Sequence, residues 1–119
     1  MAYPYKVLVF GGRDYSNVNA VNDALGLFWK AHGGFCLIEG GARGADRLAR
    51  GWADRNGMPR ITMDANWPVY NKGAGSIRNQ WMLDYAQPNY AIGFPGGAGT
   101  ADMTQRVLDR GIALWLPQA

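Results

Sequence analysis

Gly93-Phe94-Pro95-Gly96-Gly97-Ala98-Gly99-Thr100-Ala101-Asp102-Met103 lies between an apolar run that ends at Ile92 and a helix-like run that begins near Gly99. Glycines and a threonine at a strand-to-helix junction leave backbone N–H groups bare above the helix N-terminus, where the dipole favours an anion. Read this way, the stretch is a phosphate seat with a buried strand before it and a helix after it. Two other stretches repeat the arrangement: Val7 to Phe10 runs into Gly11-Gly12-Arg13-Asp14, and Phe35 to Ile38 runs into Glu39-Gly40-Gly41-Ala42-Arg43-Gly44-Ala45-Asp46. One glycine-rich junction also serves plain turns, but three after short apolar runs point to ligand binding. Open parallel sheets bind ligands at the carboxyl ends of their strands, so the three corners are expected to converge on one pocket.

Outward from these corners, strands and helices alternate. Lys6–Phe10 reads as a strand buried on both faces. Ser16 is expected to cap a helix with Val18, Val21, Leu25 and Phe28 on its apolar face, closed by Gly33-Gly34. Phe35–Ile38 is the second strand. A second helix from near Gly44 turns Leu48, Ala49, Trp52 and Ala53 inward and Arg47, Arg50, Asp54 and Arg55 outward, and ends at Asn56-Gly57. Met58–Met63 is a weaker strand, followed by an irregular loop over residues 64–75 that reads as a functional loop. Ala74–Tyr85 predicts a helix with Ile77, Trp81, Met82 and Tyr85 inward and Arg78 and Asn79 in its first turns. Asn89–Gly93 is the fourth strand, Gly99–Arg110 a helix burying Met103, Val107 and Leu108, and Ile112–Leu116 the fifth strand. The alternation dictates right-handed crossovers and a parallel sheet with helices on both faces.

The 119 residues fit one domain spanning 1–119, and 48% apolar content with five Trp, six Tyr and four Phe marks a globular chain. Twelve basic against nine acidic residues give +3, compatible with anionic ligands; the bases are interleaved with acids and form no stripe for nucleic acid. No apolar stretch has the length of a signal peptide or a membrane span, so a cytoplasmic protein with no membrane partner is expected. The single Cys36 lies in an apolar run and reads as a buried, reduced core residue. With one His and one Cys, the ligands of an ordinary zinc site are missing, and no metal or other cofactor is expected. Five tryptophans invite an apolar patch for self-association, hence a homo-oligomer.

Four pieces together, Gly11-Gly12-Arg13-Asp14-Tyr15, residues 40–46, Ala74-Gly75-Ser76-Ile77-Arg78-Asn79-Gln80-Trp81-Met82 and Pro95-Gly96-Gly97-Ala98-Gly99-Thr100, resemble the SLOG superfamily, in its YspA and YpsA-related branch. The resemblance covers nearly the whole chain. It implies a Rossmann-like three-layer α/β/α fold with a mostly parallel sheet of about five strands, and a nucleotide-derived small-molecule ligand. The superfamily includes the LOG phosphoribohydrolases, which cleave the N-glycosidic bond of nucleoside monophosphates. By that likeness Gly96, Gly97, Gly99 and Thr100 match the phosphate-binding turn, and Arg78 matches the arginine of an Arg-Lys-x-x-Met segment, with Asn79 in place of the Lys. The catalytic Glu three residues after the Thr is absent: Met103 stands there, with Asp102 one position earlier and about 100° away around the helix.

Each candidate has a plain structural reading beside its functional one. Gly11, Gly12, Gly40, Gly41 and Gly44, with the glycines at 96, 97 and 99, are either turn residues or places where backbone meets phosphate. Arg13, Arg43 and Arg78 suit bidentate contacts to phosphate or surface salt bridges. Arg78 near a helix N-terminus opposes the dipole and so argues for a compensating anion. Asp14 and Asp46 accept ribose hydroxyls or, for Asp46, stabilise a helix start. Glu39, at a strand end facing the pocket, and Asp102 are the carboxylates available for acid, base or cation-stabilising work alongside Arg78. Tyr15, Trp67 and Tyr70 stack on a purine or pack in the core; Lys72 reads as a solvated charge and His32 as a dipole-favoured residue at a helix end. Two function classes follow: a nucleotide-binding domain with N-glycosidic hydrolysis, or a non-catalytic sensor or sequestering module, the class that Met103 favours. Single-stranded nucleic-acid binding is a third.

Overall fold

In a computed structural model, which describes residues 3–65 and 73–118, β1 (Lys6–Phe10) is the central strand because four of its five residues are large, apolar and fully enclosed. β2 (Cys36–Glu39) pairs on one side in the register Val7↔Leu37, and β4 (Tyr90–Gly93) on the other in the register Val9↔Ile92. β3 (Arg60–Thr62) and β5 (Ala113–Trp115) close the edges, giving five parallel strands in the order β3-β2-β1-β4-β5. The period-two alternation of β1 divides the core. Val7 and Val9 face α1 (Val18–His32) and α2 (Ala45–Arg55), while Leu8 and Phe10 face the helix α3 (Ala74–Trp81) with its extension, and α4 (Ala98–Asp109). The fold is therefore a three-layer α/β/α Rossmann-like sandwich. Among the described residues no helix is long and apolar enough to cross a membrane.

Several local expectations are corrected. Asn17, not Ser16, caps α1, its side chain accepting from the Ala20 N–H. Cys36 begins β2 only half-buried, and burial raises its thiol above the ordinary range even though Lys6 pulls the other way. Leu108 is 54% exposed because α4 turns Met103 and Val107 inward and Leu108 past the contact.

The largest discrepancy is Tyr85, expected in the core and 75% exposed. After Trp81 the helix widens into a π-helical turn over Met82–Ala86, and the extra residue per turn rotates the inward stripe onto Met82, Leu83 and Ala86. Leu83→Ala should therefore cost ~3 kcal/mol in urea unfolding and Tyr85→Ser less than ~0.5 kcal/mol, the reverse of what unbroken α-helical spacing predicts.

Candidate functional site

The strand order reverses between β1 and β4, and at this switch point the glycine corners meet. The Gly12 N–H donates to Pro95 O at 2.9 Å, and the Ala45 N–H donates to Gly12 O at 3.2 Å, so the β1 corner holds both of the others. The contact is backbone on backbone. A Cβ at Gly12 would stand 2.9 Å from both Gly96 Cα and Pro95 O, and one at Gly96 would stand 2.6 Å from Gly12 N. Gly44, at φ +83°, would drive any Cβ into Gly12 O. The spacing attributed to phosphate approach is thus spent, at Gly12, Gly44 and Gly96, on letting the protein's own loops touch. Gly97 and Gly99 are different: nothing lies within 4 Å of a Cβ at either.

Above this junction lie two adjoining hollows. The larger, about 610 Å³, has an apolar floor of Phe10, Met82 and Met103 and is rimmed by Gly11, Gly12, Gly97, Gly99 and Thr100. Arg13, Asp14, Asp46, Arg78, Asn79 and Asp102 supply its polar wall, and Ser76 reaches its edge. Gly97 precedes α4 without any side-chain cap, so the first N–H groups of that helix keep no side-chain acceptor there. The smaller hollow, about 460 Å³, is lined by Gly40, Gly41, Arg43, Arg47 and Asp64 and shares Arg13, Ala42 and Arg78 with the first.

Arg78 is the hinge between the two hollows. Its Nη1 donates to Gly40 O at 2.6 Å and its Nε to Asn79 Oδ1 at 3.1 Å. Gly40 is glycine because a Cβ there would occupy the place of that guanidinium. Arg78 sits past the first turn of α3, in the middle of the helical run that continues through Ala86, which removes the dipole argument for a compensating anion; the carboxylate of Asp46 and the Gly40 carbonyl meet its charge instead. Burial lowers the Arg78 pKa, opposed by Asp46 and reinforced by the nearby Arg13 cation. Asp46 is 5% exposed, and its Oδ2 accepts from the Ala42 N–H at 3.3 Å. Desolvation pushes its carboxyl up to about 6, against the pull of Arg78 and that backbone donor.

The other two carboxylates are structural ties. Asp102 Oδ2 accepts from Arg106 Nε at 2.9 Å and Asn79 Nδ2 at 3.0 Å, bracing α4 against α3. Burial by itself would raise Asp102, but the bonds from Arg106 and Asn79 outweigh it and hold the carboxylate below its usual range. Glu39 is fully buried and lines neither hollow, contrary to its expected place on the pocket wall. Its Oε1 accepts from the Gly41 N–H at 2.7 Å, and its Oε2 accepts from the Thr62 hydroxyl, so both oxygens go to shaping the β2 corner.

Of the other candidates, Arg43 Nη2 meets Asp14 Oδ1 at 3.4 Å, with side chains 69% and 95% exposed, a surface pair of little energetic weight. Gly44 and Gly96 line neither hollow. Tyr15 packs on Phe94 at 5.4 Å and donates its hydroxyl to Gln118 Oε1, its plain structural reading, while Trp67, Tyr70 and Lys72 lie outside the described residues. Sequence reasoning missed Arg47, whose Nε folds back to donate to Gly41 O at 3.2 Å, and Asp64, beside the same corner. A cation in the first turn of α2, where the dipole disfavours it, was the available signal for Arg47.

A family model described as the YspA, cpYpsA-related SLOG family matches residues 5–70. The chain is similar to the "Gene 61 protein" of Mycobacterium phage D29, 33% identical over 99 residues that cover 77% of this chain and 78% of that protein. No solved structure matches. At its general level the assignment suggests a nucleotide-related ligand. The match spans β1, α1, β2, α2 and β3, with two of the three glycine corners, and the chain belongs to the YspA, cpYpsA-related SLOG family.

Proposed function

We propose that the larger hollow binds a phosphorylated nucleoside. One observation carries the reading: the uncapped N-terminus of α4, with open backbone at Gly97 and Gly99, faces into a hollow at the sheet's switch point that Arg13 and Arg78 also line. The phosphate lies on the amides of Ala98, Gly99 and Thr100, with Arg13 and Arg78 neutralising it. The ribose hydroxyls donate to Asp46 or Asp14, and the base rests on the apolar floor of Phe10, Met82 and Met103. The volume is of the size that ligand pockets occupy.

A binding module is the primary reading, because Met103 and not a carboxylate lines the hollow where the hydrolases carry their Glu. N-glycosidic hydrolysis is the second reading, favoured by the Asp46 carboxyl near 6, a value suited to a proton donor at the leaving base. One assay separates them: AMP, NAD and ADP-ribose are incubated with the protein, free base is sought by chromatography, and binding is measured in parallel by calorimetry. Binding without base release leaves the module and removes the hydrolase. Arg78→Ala is expected to weaken AMP at least tenfold while the far-ultraviolet circular dichroism is kept. Binding by the variant as tight as by the parent would exclude this hollow as the phosphate site.

A further inference from the structure

The guanidinium groups are divided unevenly between the two hollows, in a way that a single phosphate does not explain. In the larger one, Arg13 and Arg78 face the carboxyls of Asp14, Asp46 and Asp102. In the smaller one, Arg43 and Arg47 join the same two arginines, and Asp64 is the one lining carboxylate among the described residues. Asp14 meets Arg43 only in an exposed pair and Asp46 offsets Arg78 from behind, so the lining of the smaller hollow itself presents four guanidiniums and one carboxylate and focuses a positive potential into the concave surface. At Arg78 burial works against the ionised form, as does the smaller push of the Arg13 charge, while Asp46, Asp64 and Glu39 support it.

Resting on the nucleotide reading above, we infer that the smaller hollow is a second anion subsite, so that the ligand class is a nucleoside diphosphate or its ester. The nucleoside and first phosphate fill the larger hollow, and the second phosphate enters the smaller. Arg13 and Arg78 stand on the wall common to both, where a planar guanidinium bridges oxygens of adjacent phosphates. Arg47 is held by its Nε on Gly41 O, leaving its two terminal nitrogens out of that bond and available to the outer phosphate. The exposed Arg43–Asp14 pair exchanges readily for the same anion.

Calorimetry with AMP, ADP and inorganic pyrophosphate on the parent and on Arg47→Ala tests this. Arg47 is exposed and lines the smaller hollow but not the larger, so the variant keeps its fold, checked by its melting temperature. ADP should bind the parent at least tenfold more tightly than AMP, and Arg47→Ala should remove most of that advantage while AMP affinity stays unchanged. Equal affinities for AMP and ADP in the parent, or equal weakening of both by the variant, overturn the second subsite and leave the nucleotide reading intact. Pyrophosphate binding that Arg47→Ala abolishes, with no nucleotide bound, overturns the nucleotide reading and upholds the anion subsite. No binding of any of the three overturns both.

Discussion

Gly12→Ala is expected to destabilise the protein by ~3 kcal/mol, whereas Gly97→Ala costs only ~1 kcal/mol and instead weakens AMP at least tenfold. The added methyl group is the same; its surroundings differ. At Gly12 it would press on Gly96 Cα and Pro95 O, both 2.9 Å away and both backbone, so relief requires parting the β1 and β4 corners and losing the Gly12–Pro95 hydrogen bond. At Gly97 it meets nothing within 4 Å, so no packing is disturbed and the cost is that of placing Ala at a helix N-cap, where Gly is preferred. A ligand phosphate seated on the amides after Gly97 would meet the methyl first. Urea unfolding at constant slope reads the stability arm and calorimetry the binding arm. A Gly12→Ala protein as stable as its parent would show that the corners are not interlocked.

Asp46→Asn is expected to flatten the pH dependence of stability between about pH 4 and 7 by ~3 kcal/mol. The folded-state carboxyl is raised from 3.8 to about 6, so the native chain holds this proton more tightly than the unfolded chain does. Its contribution is fully present below about pH 4 and is lost as the pH rises through about 6. The parent should therefore lose stability across that window through this group, and the amide, which does not titrate, should not. Urea midpoints at pH 4, 5, 6 and 7 for both proteins measure the difference. Parallel curves would mean that Asp46 is no harder to ionise in the fold than in the unfolded chain, and the proton-donor role would go with it.

Much of the architecture was legible because β1, β2 and β4 are short, mostly apolar runs that lead into glycine-rich corners, a pattern that a buried parallel strand feeding a crossover helix imposes directly. The neighbourhood of Gly12, Arg78 and Thr100 followed from the same rule about strand ends. What one dimension hid was mutual contact. Gly12 and Gly96 lie 84 positions apart, and nothing local says that each is small for the other's sake. Glu39 sits at the right end of the right strand, yet the Gly41 amide and the Thr62 hydroxyl claim its oxygens. Asp102 likewise became a brace through Arg106, four residues on, a helical neighbour visible in the spacing but not weighed. The π turn at Met82–Ala86 has no composition cue, so the side on which Tyr85 falls depended on a register that only packing sets.

The two outermost strands, Arg60–Thr62 and Ala113–Trp115, are only three residues long as described, and one opens on an arginine paired with Asp54 at 2.8 Å. So brief a margin, with a cation along it, offers little for another chain's backbone to zip onto. The larger exposed apolar side chains, Leu27 and Trp29 among them, stand instead on a helix, away from that margin, and the ribbon at the centre of the molecule stays finite.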